Sequence, residues 1–237
     1  MERLVDALRS ASSVFALTGS GISAESGLPT FRGAGGLWRM HRVEELASPE
    51  GFSHDPELVW TWYNQRKAAY ERAQPNEGHR ALARLEERLS CLTLATQNVD
   101  SLHRRAGSRR VIELHGDLRE ARCTRCDERL VLEAAGLPLD RIRHCCGGMM
   151  RPNVVWFGEP LPQAAWQTAR EAASRADVIL VIGTSAVVYP AAALASGCSD
   201  AAFVAEINTE ATALSGRADC VLRARASEAL ASLASAL

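Results

Sequence analysis

The sequence predicts an α/β fold in which helices cover both faces of a parallel sheet. Three observations carry that reading. Short apolar, strand-like runs alternate along the 237 residues with longer helix-like ones, the pattern expected when strands are followed by covering helices. The first strand-like run, "VFAL", feeds into a turn crowded with glycine and hydroxyl residues, Leu17 to Gly33, "LTGSGISAESGLPTFRG". The third observation is an interruption. Arg122 to Arg151 has no long apolar run yet holds four of the seven cysteines, which predicts a small module inserted in the larger domain.

In chain order, a helix over Glu2–Ser10 leads to a strand at Val14–Leu17. Gly19, Gly21 and Ala24 then fit the spacing G-x-G-x-x-G/A. In that pattern the first glycine allows a tight turn, the second lets the backbone approach a pyrophosphate, and the small third residue lets the next helix pack closely. The N-terminus of that helix would offer free N–H groups to phosphates. An ordinary dinucleotide fold next needs a second strand ending in an acid about 20 residues on. Here "FRGAGGLWRMHRVEELASPEGF" holds no strand; it predicts a long irregular loop, with Phe31 and Arg32 suited to closing over a ligand. Helices over Pro56–Arg72 and Gly78–Leu89 precede strands at Leu92–Ala95 and Val111–Glu113. After the cysteine module come a helix over Gln163–Ser174, a strand at Val178–Ile182 and a helix over Pro190–Ser196. Strands at Phe203–Ile207 and Cys220–Leu222 and a helix over Ser227–Ala236 complete a Rossmann-like sheet.

Composition narrows the partners. With 27 basic and 28 acidic residues the net charge is −1, which gives no electrostatic case for a nucleic-acid or membrane-surface binder. "MERLVDALRS" has no basic region ahead of a long apolar run, so no secretory leader is predicted. Val178 to Ser199 carries no charge, but Gly183, Pro190 and Gly197 divide it into a strand, a loop and a helix rather than a membrane span. An odd number of cysteines, four of them clustered, favours metal binding over disulfides and a cytoplasmic location. Cys91, Cys198 and Cys220 lie in apolar runs and are expected to be inert core thiols.

Ligands of parallel sheets bind outside the carboxyl ends of the strands. "LTLAT" runs into Gln97, Asn98 and Asp100; "VILVIGTS" delivers Gly183, Thr184 and Ser185; "FVAEIN" delivers Asn208 and Thr209. With the first glycine turn, that makes four polar loops converging where a ligand would sit.

These stretches, "GSGISAESGLPTFRG", "TQNVD", "ELHGDL", "RPNVVWFGE", "GTS" and "EINTE", resemble in order the signature motifs of the sirtuins, the NAD-dependent protein-lysine deacylases. The resemblance runs from about Leu17 to about Glu210, with Ser20 standing where many members have alanine. It implies that residues 1–237 form one catalytic domain with a zinc-type module at 119–152. It further implies that NAD is surrounded by Gly19, Ser20, Gly21, Ile22, Thr30, Phe31, Arg32, Gln97, Asn98, Asp100, Gly183, Thr184, Ser185, Asn208 and Thr209. "VVWFG", with Val154, Phe157 and Gly158, would pair with the substrate peptide as an added strand and read mostly its backbone. The acyl oxygen of the modified lysine would attack the ribose carbon bearing nicotinamide. His115, the one histidine followed by a glycine at a strand end, would be the base that draws a proton from a ribose hydroxyl, with Asn98 and Asp100 holding the ribose and the water. His41, His54, His79 and His103 are expected to be surface or packing residues.

Tyr63 and Arg66 lie three apart in a predicted helix, so a phenol and a guanidinium share one face and can receive a carboxylate. Y-x-x-R and the small Ala47 in "LASP" resemble the sirtuin class that removes succinyl and malonyl groups. For zinc, Cys123-x-x-Cys126 is a sound half-site. The second half reads "RHCC", so Cys146 is expected to ligate with Cys145 or His144 as the fourth group, Arg143 being unable to bind metal. Two other functions use the same cofactor site: protein ADP-ribosyltransfer, and non-catalytic sensing of NAD or ADP-ribose.

Overall fold

The computed structural model describes residues 1–32, 36–37, 42–196 and 201–237. The predicted loop at 33–35 and 38–41, with His41, and Cys198 lie outside the described residues. The elements are α1 (Glu2–Ser10), β1 (Val14–Thr18), a 3-10 turn (Ser20–Ser26), α2 (Val43–Leu46), α3 (Pro49–His54), α4 (Pro56–Arg72) and α5 (Glu77–Arg88). There follow β2 (Leu92–Thr96), α6 (Leu102–Arg105), β3 (Val111–Glu113), β4 (Gly116–Cys123), β5 (Arg129–Val131) and β6 (Met150–Val154). The chain closes with α7 (Gln163–Ser174), β7 (Val178–Ile182), α8 (Ala193–Ser196), β8 (Phe203–Ile207), β9 (Cys220–Leu222) and α9 (Ala226–Ala236).

Six strands form a parallel sheet in the order β3-β2-β1-β7-β8-β9. Strand side chains alternate between faces, and here both faces are covered. Val14 and Ala16 of β1 pack with Leu4, Leu8, Leu82 and Leu230 on the side of α1, α5 and α9. Phe15 and Leu17 pack with Ala169, Ala173 and Leu194 on the side of α7 and α8. The strand order reverses between β1 and β7, which opens a crevice at their carboxyl ends.

A third apolar cluster joins α2, α3 and α4 to the antiparallel sheet β5-β4-β6. Asp55 starts α4 by accepting the Leu58 N–H at 2.9 Å, with Pro56 in the first turn. The buried face of α4 carries Val59, Trp60, Trp62, Tyr63, Arg66 and Tyr70, and Trp60 Nε1 donates to the Met150 carbonyl at 2.7 Å.

Three expectations change. The glycine turn leads into a 3-10 turn rather than an α-helix: Gly27, at φ +82°, ends it after seven residues, and its serine hydroxyls are engaged elsewhere. The helix expected from Pro190 begins at Ala193, because Ala193 N–H turns back to the Pro190 carbonyl in a tighter bond of 2.9 Å. Cys91 and Cys220 are half-buried at the sheet margins rather than sealed in the core. No helix among the described residues is long and apolar enough to cross a membrane.

Candidate active site

A cavity of about 400 Å³ opens at the carboxyl ends of β1, β2, β7 and β8 and extends to the end of β6. Its base is made by two turns in close contact. Gly19 N–H donates to the Ile182 carbonyl at 3.0 Å and Gly21 N–H to the Gly183 carbonyl at 2.8 Å. A methyl group on Gly19 would stand 2.7 Å from Thr184 Cβ, and one on Gly21 2.7 Å from the Gly183 oxygen. These glycines therefore let two strand-end loops meet, a packing demand beyond ligand approach.

Side chains tie the loops together. Gln97 Nε2 donates to Thr184 Oγ1 at 2.9 Å, and Asn208 Nδ2 to the Thr184 carbonyl at 3.0 Å. Asn98 Nδ2 donates to the Gly19 carbonyl at 3.1 Å and to Ser23 Oγ at 3.2 Å, while its amide oxygen has no hydrogen-bond partner among the described residues. Ser20, Thr30, Phe31, Arg32, Ser185 and Thr209 also line the cavity. Two predicted residues do not. Ile22 turns into the core beside β1. Asp100 is buried behind the wall, its carboxylate accepting from Ser23 Oγ at 2.7 Å and from Leu102 N–H at 2.9 Å. Burial pushes its pKa up. Ser23 links it to the cavity-lining Asn98.

His115 lines the cavity between β3 and β4. Its Nδ1 lies 2.9 Å from the Gln97 carbonyl. A carbonyl only accepts, so Nδ1 carries the proton and the lone pair sits on Nε2. Burial pushes the imidazole below its ordinary pKa, against a smaller upward pull from that hydrogen bond, so the ring is neutral at pH 7. The arrangement suits a general base.

At the other end lie Ala47, Tyr63, Arg66, Val154, Phe157 and Gly158. Tyr63 accepts a hydrogen bond from Trp156 Nε1 at 2.9 Å, and burial pushes its pKa far up, so it keeps an O–H to donate. The phenol and guanidinium do share one face of α4, as the spacing predicts. Val155 N–H donates to the His115 carbonyl and Phe157 N–H to the Ala47 carbonyl, both at 2.9 Å. The sequence reading missed Trp62, Trp156 and Glu159, which also line this end. Arg151 stacks 3.4 Å from the Trp156 ring centroid and binds Glu159, which in turn accepts the Trp156 N–H at 2.8 Å. The signal is present in "RPNVVWFGE", where Arg151 and Glu159 bracket the apolar run.

In the small module, Cys123, Cys126, His144 and Cys146 bring ligand atoms within 4.8 Å of one another. Cys123 and Cys146 sulfurs are 3.4 Å apart, and His144 Nδ1 is 3.2 Å from Cys146 Sγ and 3.7 Å from Cys126 Sγ. Tetrahedral zinc with bonds of about 2.1–2.3 Å separates its ligands by about 3.5–3.8 Å, so the set fits a structural zinc. Of the two residues left open for the fourth position, the cluster takes His144 and not Cys145. Neighbouring side chains diverge, and among the described residues the exposed Cys145 sulfur reaches only the His144 ring, at 3.7 Å.

A switch-point cavity fed by polar strand ends defines a doubly wound α/β protein of the nucleotide-binding class. The chain belongs to the Sir2 family, the sirtuins, whose family model matches residues 19–190. NAD-dependent protein deacylase 2 of Pyrobaculum aerophilum is 50% identical over 228 residues, covering 96% of this chain and 92% of its own. A solved Sir2 homologue with a serine-to-alanine substitution, in complex with ADP-ribose, superposes with a TM-score of 0.95 at 46% identity, covering 100% of this chain and 96% of that one. A Sir2 homologue–NAD complex gives 0.91 at 47% identity, covering 99% and 93%.

Proposed function

We propose that the protein is an NAD-dependent protein-lysine deacylase that prefers acyl groups ending in a carboxylate, succinyl and malonyl, and retains some deacetylase activity. Family membership and the relatives' activity support the reaction class. One observation supports the selectivity: Arg66 is 8% exposed, lines the cavity and pairs with no carboxylate among the described residues. A buried cation is costly unless paired, and an incoming carboxylate supplies the partner. Tyr63 adds an O–H donor, and Ala47 leaves room for the longer chain.

NAD, when bound, supplies the ribose carbon that receives the acyl oxygen as nicotinamide leaves. His115 accepts at Nε2 the proton of a ribose hydroxyl. Asn98 offers its unpaired amide oxygen to the ribose or to water, and Ser23 and Asp100 hold that amide in place. The segment from Val154 to Gly158 receives the peptide. The reaction consumes one NAD and one water per acyl-lysine. The ribose hydroxyl oxygen takes the acyl carbon, and water completes cleavage of its bond to the lysine nitrogen. The products are free lysine, nicotinamide and O-acyl-ADP-ribose.

Matched acetyl-, malonyl- and succinyl-lysine peptides, with and without NAD, test this reading. Arg66→Met is expected to lower kcat/KM for succinyl-lysine by about one to two decades and to lower acetyl-lysine turnover far less. Equal loss on both would leave a plain deacetylase. No release of nicotinamide with any peptide would leave a sensor, and ADP-ribose found on protein targets by mass spectrometry would make the enzyme a transferase.

A further inference from the structure

Arg66 lies in a sleeve of aromatic rings. Its guanidinium carbon is 4.8 Å from the Phe31 ring centroid, 4.9 Å from that of Trp62 and 5.0 Å from that of Tyr70. Rings on this many sides hold the group's position but leave its hydrogen-bonding edge undirected. Direction comes from one contact: Nη2 donates to the hydroxyl oxygen of Tyr70, one turn further along α4. Tyr70 is 6% exposed and does not line the main cavity. It borders a separate cavity of about 60 Å³ beside Lys67 and Asp100, so it stands behind Arg66 as seen from the active site. Nε and Nη1 have no hydrogen-bond partner among the described residues and are not fully sealed, and Arg66 lines the main cavity.

We infer that Tyr70 positions Arg66 and thereby sets the preference for carboxylate-bearing over neutral acyl groups. The inference rests on the function proposed above. A planar guanidinium binds a carboxylate through two parallel N–H bonds only when its plane and edge are fixed. Occupying Nη2 from behind turns the remaining donors toward the cavity. The phenol can serve as a constant acceptor because burial keeps it neutral, its pKa pushed above the ordinary value. Neutral acetyl-lysine asks nothing of that edge, so only the longer acidic groups feel Tyr70.

The test is a cycle of Tyr70→Phe, Arg66→Met and the double variant, with KM and kcat measured separately on succinyl- and acetyl-lysine peptides. Tyr70→Phe removes one oxygen and keeps the packed ring. It is expected to raise KM for the succinyl peptide about fivefold to tenfold, leaving kcat within about twofold and acetyl kinetics unchanged. In the Arg66→Met background the same substitution is expected to leave the succinyl-to-acetyl ratio alone. A shift of both substrates by one factor, no shift at all, or an undiminished effect without Arg66 would each overturn the inference. If Arg66→Met itself spares the ratio, the acyl-selectivity reading fails. If Arg66→Met collapses the ratio and Tyr70→Phe does not, the role of Tyr70 alone fails.

Discussion

At His115 a single backbone carbonyl decides which nitrogen can do chemistry. Gln97 fixes the Nδ1 proton from the end of β2, leaving Nε2 as the basic atom. Burial holds the folded pKa below 6.5, so the base is lost only as the pH falls through that lower value. The acid limb of kcat/KM is therefore expected to have its midpoint below 6.5. His115→Ala should reduce kcat by about 10²–10⁴ without moving the melting temperature. Near-normal turnover, or an acid limb at or above pH 6.5, would contradict that assignment. The place of His115 at the cavity was legible in the sequence because a strand and a glycine frame it. The orientation of Asp100 was not. Ser101 takes a left-handed backbone, φ +57°, and the Asp100 side chain turns to receive the Leu102 N–H instead of facing the ligand.

Among the elements, the strands of the large sheet could be read from apolar runs because both faces are buried. The strands of the small sheet could not. β4, "GDLREARC", mixes charges with apolar residues since one side faces solvent and the other packs on α4. The cysteine pair at 123 and 126 announced a metal, whereas the fourth ligand depended on which way two adjacent side chains point. The His144 hydrogen bond holds the Cys146 thiol below its ordinary pKa, toward the thiolate form that binds metal. Purified protein is expected to carry about one zinc per chain, and chelation should lower its melting temperature because metal binding contributes to folding. Elemental analysis of variants separates the two candidate ligands. His144→Ala should lose zinc, and Cys145→Ser should keep it; the reverse pattern would restore Cys145 to the site.

Across the whole molecule, the active site is fastened to the core by two buried histidines, which take the packing role of the two that the sequence allows them. His79 of α5 and His103 of α6 stack edge to face, with ring centroids 4.9 Å apart. His103 Nε2 lies 2.9 Å from Thr18 Oγ1 at the end of β1, and His79 Nε2 lies 3.4 Å from Ser23 Oγ. Helix, strand and glycine turn thus meet at uncharged imidazoles. Burial lowers both pKa values, that of His79 from 6.5 to about 4. The unfolded chain then binds protons that the folded chain refuses. The stability that His79 contributes is complete above about pH 6.5 and drains away as the pH falls from there through the folded value. The full drop from 6.5 to about 4 corresponds to on the order of 3 kcal/mol, of which about 2 kcal/mol is gone by pH 5. Asp100, raised by burial, works in the opposite direction in the acid range, so a comparison with a variant isolates the histidine. Urea unfolding of the wild type at about pH 7 and pH 5 should show a larger loss of stability than His79→Asn shows over the same interval. Parallel losses in the two proteins would mean that His79 titrates alike folded and unfolded, and that its ring is not sealed beneath the active site.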